Sequence, residues 1–302
     1  MTEYEFHQQK HGYRNGHQLL EGNIRLERSD QDAVDRLSDL SGQIRPGEVI
    51  PSYLTIYPLP SGTHTVVART WPDLRAPRAG CVLTRSVFVP RSYWESAPDI
   101  GEVIALAGTS PDQGVVSGHL DLAGVPSIPI ASEPRTAELI EALFFEQRKP
   151  IVVFEADAAE LLARRLITAF WPAFRSSFAM CTYALGPRKI GGRDFDLVFA
   201  PKSVRSRFAS WQGRKIDAGP PKAVRHRWAQ AIADAVFRAS APSLAAPDNL
   251  GLLNSERADE SAFRKTLLWR ELAEKASTTP SAILGLLDIV NSQPGLAHDA
   301  MR

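Results

Sequence analysis

Ser52-Tyr53-Leu54-Thr55-Ile56-Tyr57, His64-Thr65-Val66-Val67-Ala68-Arg69-Thr70-Trp71 and Cys81-Val82-Leu83-Thr84-Arg85-Ser86-Val87-Phe88-Val89 are the stretches that decide the fold. Each is short and rich in β-branched and aromatic residues, the composition of a strand. Pro58 and Pro60 close the first run, Pro60-Ser61-Gly62 separates it from the second, and Gly80 and Pro90 bracket the third. Three strands joined by short turn-forming links predict an antiparallel meander.

On the N-terminal side, Tyr4 and Phe6 alternate with Glu3, Glu5 and His7, as in a half-buried strand. Asn15-Gly16 tolerates positive φ and predicts a type I′ turn joining residues 4–14 to 17–20, with Gly12 marking a bulge. Ser29-Asp30-Gln31-Asp32 predicts a helix start with Ser29 as cap, and Ala33, Leu37 and Leu40 give that helix its apolar face. On the C-terminal side, residues 93–107 read as a helix. Gly108–Pro134 is rich in Gly, Pro and Ser and predicts a domain boundary or a long excursion.

A second part begins with a helix over Ala137–Glu146 and a buried strand at Pro150-Ile151-Val152-Val153-Phe154. A helix capped by Asp157 follows, with Leu162, Leu166 and Phe170 on one face and Pro172 as its stop. Residues 178–183 and 194–199 predict two more strands linked through Gly191-Gly192. Val224, Trp228, Ile232 and Val236 mark a further helix. Residues 240–247 are linker-like, and 256–275 and 280–291 read as helices, the second opened by Thr279-Pro280. The expectation is an α+β protein: an N-terminal mixed or antiparallel sheet domain with flanking helices (1–134), a smaller α/β domain (135–240), and a linker with a helical tail (241–302).

At 302 residues, with 44% apolar and 23% charged residues, the composition is that of a globular protein with a sizeable core. A formal charge of +1 excludes a global polyelectrolyte role. Cys81 and Cys181 form no disulfide framework, which points to a reducing compartment. Met1–His7 lacks a signal-peptide pattern and no window is long and apolar enough to span a bilayer, so a cytoplasmic location and no membrane partner are expected.

Catalytic and cofactor motifs are absent from the sequence. Gly12, Asn15 and Gly16 argue against the helix that a metal-binding H-x-x-x-H pair among His7, His11 and His17 would need, and neither cysteine sits in a nucleophile signature. Gly186-Pro187-Arg188-Lys189-Ile190-Gly191-Gly192 lacks the spacing of a phosphate loop. No metal, cofactor or catalytic residue is therefore assigned. Whether the protein is an enzyme stays open; a hydrolase using Cys81, Cys181 or His17 is the remaining catalytic alternative.

The strongest charge signal is residues 201–227. Lys202, Arg205, Arg207, Arg214, Lys215, Lys222, Arg225 and Arg227 face one acid within the stretch, Asp217, with Trp211 and Trp228 interleaved. Such a stretch suits a phosphate backbone with stacked bases, or an acidic protein. A weaker cluster, Arg69, Trp71, Arg75, Arg78 and Arg85, offers binding anchors or arginine stacked on tryptophan.

Several ordered blocks also carry a resemblance. Gln8-Gln9-Lys10-His11-Gly12-Tyr13, Gly16-His17-Gln18-Leu19-Leu20, Leu37-Ser38-Asp39-Leu40, Pro51–Leu59, Ala68–Trp71 and Arg78–Ser86 resemble the N-terminal domain of bacterial GTPase-associated adaptor proteins of multi-gene conflict systems. Trp171–Arg175, Phe178–Tyr183 and Phe195–Leu197 look like the region that follows it in such proteins, so the resemblance covers roughly residues 4–200. It implies a non-enzymatic adaptor coupling a GTPase to effector proteins in anti-phage defence, without cofactor. His11, Tyr13, Arg14 and His17 are then contact candidates, with Arg69, Trp71 and Arg85. The alternative is a nucleic-acid-binding sensor using residues 201–227.

Overall fold

The computed structural model describes residues 3–45, 48–122, 127–244, 253 and 259–292. In chain order the N-terminal elements are β1 (Tyr4–Tyr13), β2 (His17–Gly22), α1 (Arg28–Leu37), β3 (Tyr53–Pro58), β4 (His64–Pro72), β5 (Val82–Pro90), α2 (Arg91–Ser96), α3 (Gly101–Leu106) and β6 (Gly118–Leu120). Next come α4 (Thr136–Phe144), β7 (Ile151–Phe154), α5 (Ala159–Ala169), α6 (Pro172–Ser177), β8 (Met180–Cys181), β9 (Lys189–Ile190), β10 (Arg193–Asp194) and β11 (Leu197–Ala200). A 3-10 turn (Lys202–Phe208), β12 (Arg214–Ile216), α7 (Ala229–Phe237), α8 (Glu260–Lys275) and α9 (Pro280–Asn291) complete the described chain.

The protein is α+β. One ten-stranded mixed sheet runs β12-β7-β11-β8-β3-β4-β5-β1-β2, with β6 pairing the start of β1. The meander β3-β4-β5 is antiparallel, as its turn spacing predicts. Strands β12, β7, β11 and β8 run parallel to one another. The two halves meet where Thr55 and Ile56 of β3 pair antiparallel with Cys181 and Met180 of β8.

Period-two alternation divides the strand residues between two cores. Leu54 and Ile56 of β3 pack with α2 to α8, whereas Tyr53 and Tyr57 pack with α1, Phe195 and Phe208 on the opposite face. The four-residue strands β7 and β11 are buried along their whole length, as expected of parallel strands covered on both faces. The first core continues across residue 134, joining Trp94 and Val103 to Ile140 and Leu166.

Local chemistry moved several expected boundaries. Tyr13 pairs with His17, so the N-terminal connection is the three residues Arg14-Asn15-Gly16 rather than a two-residue type I′ turn; Asn15 takes φ 62°. The bulge lies between Lys10 and His11, whose partners are Glu21 and Leu19, rather than at Gly12. Gly12 instead lies against Leu20 and Leu83, where a Cβ would clash. Helix α1 begins at Arg28 without a side-chain cap, and Asp30 accepts the backbone N–H of Ser61 at 2.9 Å instead.

The expected 93–107 helix is two short helices, because Pro98 forces Ala97 into extended backbone (ψ 125°). Asp157 does not cap α5: Ala158 holds that position at φ 51°, and the Asp157 N–H donates to Glu133. The strand expected over 178–183 is only Met180–Cys181, and Gly191-Gly192 turn a separate hairpin, β9–β10. Helix α7 starts at Ala229, after Trp228. Part of the 240–247 linker and the first residues of the 256–275 helix lie outside the described residues.

Candidate functional site

A polar seam joins the N-terminal hairpin to α1. His11 is fully buried and its Nε2 lies 2.9 Å from Asp35 Oδ1. Asp35 also accepts Gln31 Nε2 at 2.7 Å, and Gln31 exchanges amide hydrogen bonds with Gln9 at 2.9 and 3.1 Å. The His17 ring stacks on His11 with centroids 6.1 Å apart, and its Nε2 meets Ser38 Oγ at 2.8 Å. Because Ser38 Oγ donates to the Asp35 carbonyl, His17 Nε2–H is the donor to Ser38.

Burial lowers the His11 pKa; the bond to Asp35 opposes this and the neighbouring His17 adds to it. His17 is lowered chiefly by burial as well. The neutral Nε2–H form of His11 accounts for its buried, unpartnered Nδ1. Although Ser38 sits beside an imidazole, its side chain is buried and its proton is held by a carbonyl. Such a hydroxyl presents no nucleophile to solvent. Tyr13 is half-buried and Arg14 exposed at the hairpin tip.

The second cluster is tied into the fold. Arg69 makes a two-pronged ion pair with Glu160 at 2.9 and 2.6 Å, linking β4 to α5. Arg85 is buried over Trp71, with its guanidinium carbon 5.9 Å from the ring centroid. It donates to Gln113 Oε1 at 2.9 Å and to the Gln113 carbonyl. Gly108 leaves room for that guanidinium, since a Cβ there would collide with it.

The basic stretch folds into the 3-10 turn, β12 and the approach to α7, where its own Asp217 and acids from elsewhere meet its cations. Arg205 pairs with Asp217 at 2.8 Å. Arg214 reaches the buried Glu138 at 3.2 Å and Glu146 at 3.1 Å. Arg227 pairs with Glu271 at 2.6 Å while lying over Trp228. Lys215 donates to the Ala209 carbonyl and Arg207 to the carbonyls of Leu185 and Gln43. Lys202, Lys222 and Arg225 are exposed, with no ion pair among the described residues.

Cys181 is buried and donates to the Tyr183 carbonyl at 3.0 Å. Among the described residues, no group of three His, Cys, Asp or Glu side chains is placed to hold a metal ion, and no helix is long and apolar enough to cross a membrane.

A groove of about 890 Å³ opens where the loop after α1 meets the loop joining β4 to β5. Ile44, Ile50 and Cys81 line it, and Val49 and Leu74 project from its two loops at 84% and 91% exposure. Neither Val49 nor Leu74 stood out in the sequence. Their signal is a large aliphatic residue within each of two proline-flanked stretches of sequence, Pro46-Gly47-Glu48-Val49-Ile50-Pro51 and Pro72-Asp73-Leu74-Arg75-Ala76-Pro77.

The structure thus defines a mixed-sheet α+β protein in which His11, His17, Arg69 and Arg85 of the hairpin and meander are drawn into internal bonding. Residues 5–107 match the family model of GTPase-associated protein 1, N-terminal domain type 1, and that segment is a domain of this family. The blocks from Gln8 to Ser86 fall within the match, whereas Trp171–Leu197 lies beyond it. No curated protein and no solved structure matches the chain.

Proposed function

We propose that this protein is a non-enzymatic adaptor or scaffold that couples a partner GTPase to an effector in a bacterial anti-phage or conflict system, working in the cytoplasm. The observation supporting this reading is the GTPase-associated domain over residues 5–107. Residues 1–134 would be the docking unit, 135–240 a second α/β unit that contacts the effector, and 241–302 a linker with a helical tail.

The nucleic-acid alternative draws on fewer cations than the sequence suggested, because Arg205, Arg214 and Arg227 are ion-paired and Arg207 and Lys215 donate to carbonyls. Affinity capture with the tagged full chain, from cells co-expressing the products of its flanking genes, tests the adaptor reading. Recovery of a GTPase supports it; a clean capture without one sinks it.

A further inference from the structure

The groove after α1 combines exposed aliphatic side chains with two arginines that no protein group engages among the described residues. The loop of residues 73–81 is closed at its neck by the Asp73 N–H donating to the Cys81 carbonyl at 2.9 Å, the form of a compact Ω-loop. Gly80, at φ +90°, lets this loop approach Ile44, whose Cδ1 would lie 3.2 Å from an added Cβ. The two loops therefore touch at Ile44 and Gly80, and Val49 and Leu74 project from them into solvent.

The three carboxylates lining the groove are engaged within the protein. Asp39 accepts the Leu40 N–H at 2.7 Å and Asp73 the Arg75 N–H at 3.0 Å. Glu48 accepts the Arg45 N–H at 3.0 Å and the Ser203 hydroxyl at 3.2 Å. The exposed guanidiniums of Arg45 and Arg78, by contrast, have no hydrogen bond or ion pair among the described residues. Arg207 adds a third cation beside the groove, donating to the Gln43 carbonyl at 2.6 Å. The three carboxylates keep their charge but each already takes a donor from the protein, whereas the guanidiniums of Arg45 and Arg78 are left for an incoming acid.

We propose that this groove docks an acidic segment of the partner GTPase, with an aliphatic or aromatic side chain against Val49 and Leu74 and flanking carboxylates on Arg45 and Arg78. The partner's identity rests on the adaptor reading; the chemistry of the segment rests on the groove alone. Every lining residue falls within the GTPase-associated domain. Exposed apolar anchors with arginines at the margin are the residue types that carry binding energy at interfaces, with charge complementarity setting specificity.

The test compares the full-length wild type with V49D/L74D and with R45E/R78E, each checked for an unchanged melting transition. All four side chains are exposed, so folding should survive. Against the captured GTPase, V49D/L74D should raise Kd by roughly thirty-fold or more, the scale of a lost hot spot. R45E/R78E should weaken binding by about tenfold or more and remove much of its salt dependence. Binding should also slow alkylation of Cys81, which lines the groove.

GTPase binding unaffected by both double variants would overturn the groove and leave the adaptor reading standing. If the wild type captures no GTPase, the adaptor reading falls, and the groove is judged by a displayed random dodecapeptide library. Selected on the wild type with counter-selection on V49D/L74D, the library should enrich an apolar residue flanked by Asp or Glu. Enrichment of basic peptides, or of nothing, overturns the groove. So does a wild-type dimer that V49D/L74D dissociates, which would make the occupant a second copy.

Discussion

The antiparallel and parallel halves of the single sheet solve the problem of buried polar groups differently. In the antiparallel half, partners face one another across adjacent strands or a neighbouring helix: Thr84 Oγ1 meets Thr70 Oγ1 at 2.8 Å and donates to the Ser38 carbonyl at 2.6 Å. The parallel half has strands of two to four residues joined by long connections that carry α5, α6, the β9–β10 hairpin and the 3-10 turn. Buried arginines on its covering helices bind carbonyls at loops and helix ends around it. Arg165 donates to Ile128, Pro129, Val236 and Ala239, and Arg175 to Trp94, Ala97, Thr168 and Phe170. Burial lowers the Arg175 pKa to about 10, well above neutrality, so the group stays charged. Strand pairing satisfies the hairpin backbone, whereas loop and helix-end carbonyls take long side-chain donors, as the Gln113 carbonyl does from Arg85.

Replacing one such donor should have the largest effect. Arg165→Met leaves four carbonyls without their donor, and urea denaturation should show a loss of about 3–5 kcal/mol. A loss below about 1 kcal/mol would mean that water replaces the guanidinium. Arg214→Gln comes next, because it leaves the buried Glu138 without its cation; about 1–3 kcal/mol is expected in the same measurement. Arg205→Gln is its control: that pair is largely exposed, and no resolvable change in urea midpoint is expected.

In the antiparallel half, Thr84→Val removes the donor to Ser38 and the partner of Thr70, for about 1–2 kcal/mol. A loss equal to that of Arg165→Met would erase the contrast between the halves. The smallest effect is pH-dependent. His11 and His17 have folded pKa values below 6.5, so the unfolded chain binds more protons as pH falls through that value. Stability should therefore decline from pH 7.5 to 5.5, and His11→Asn should flatten the decline. An unaltered slope in urea titrations of that variant would show that His11 does not carry it.

Legibility followed the same division. The meander could be read because its strands are six to nine residues long, rich in β-branched and aromatic residues, and end at Pro. Strand β7 was visible as an apolar run, but β8 and β12, at two and three residues, are too short to show a period. Local capping rules failed where an acid had a distant use: Asp30 turns to Ser61, and the backbone of Asp157 turns to Glu133. The basic stretch looked unbalanced because its partners Glu138, Glu146 and Glu271 lie far away in sequence. His11, Trp71 and Arg85, chosen as contact candidates, are buried, since a hydrogen-bonding or aromatic residue in a strand reads alike on either face. The groove became visible only when two turns came together.

The central claim is that a GTPase docks on the residue 5–107 domain. Titration calorimetry of the full chain with a GTPase recovered by the affinity capture, loaded with a non-hydrolysable GTP analogue, addresses this directly. The account predicts saturable binding that V49D/L74D weakens by roughly thirty-fold or more. Absence of heat and of co-elution with the wild-type chain, in both the GTP-analogue and GDP states, would contradict it.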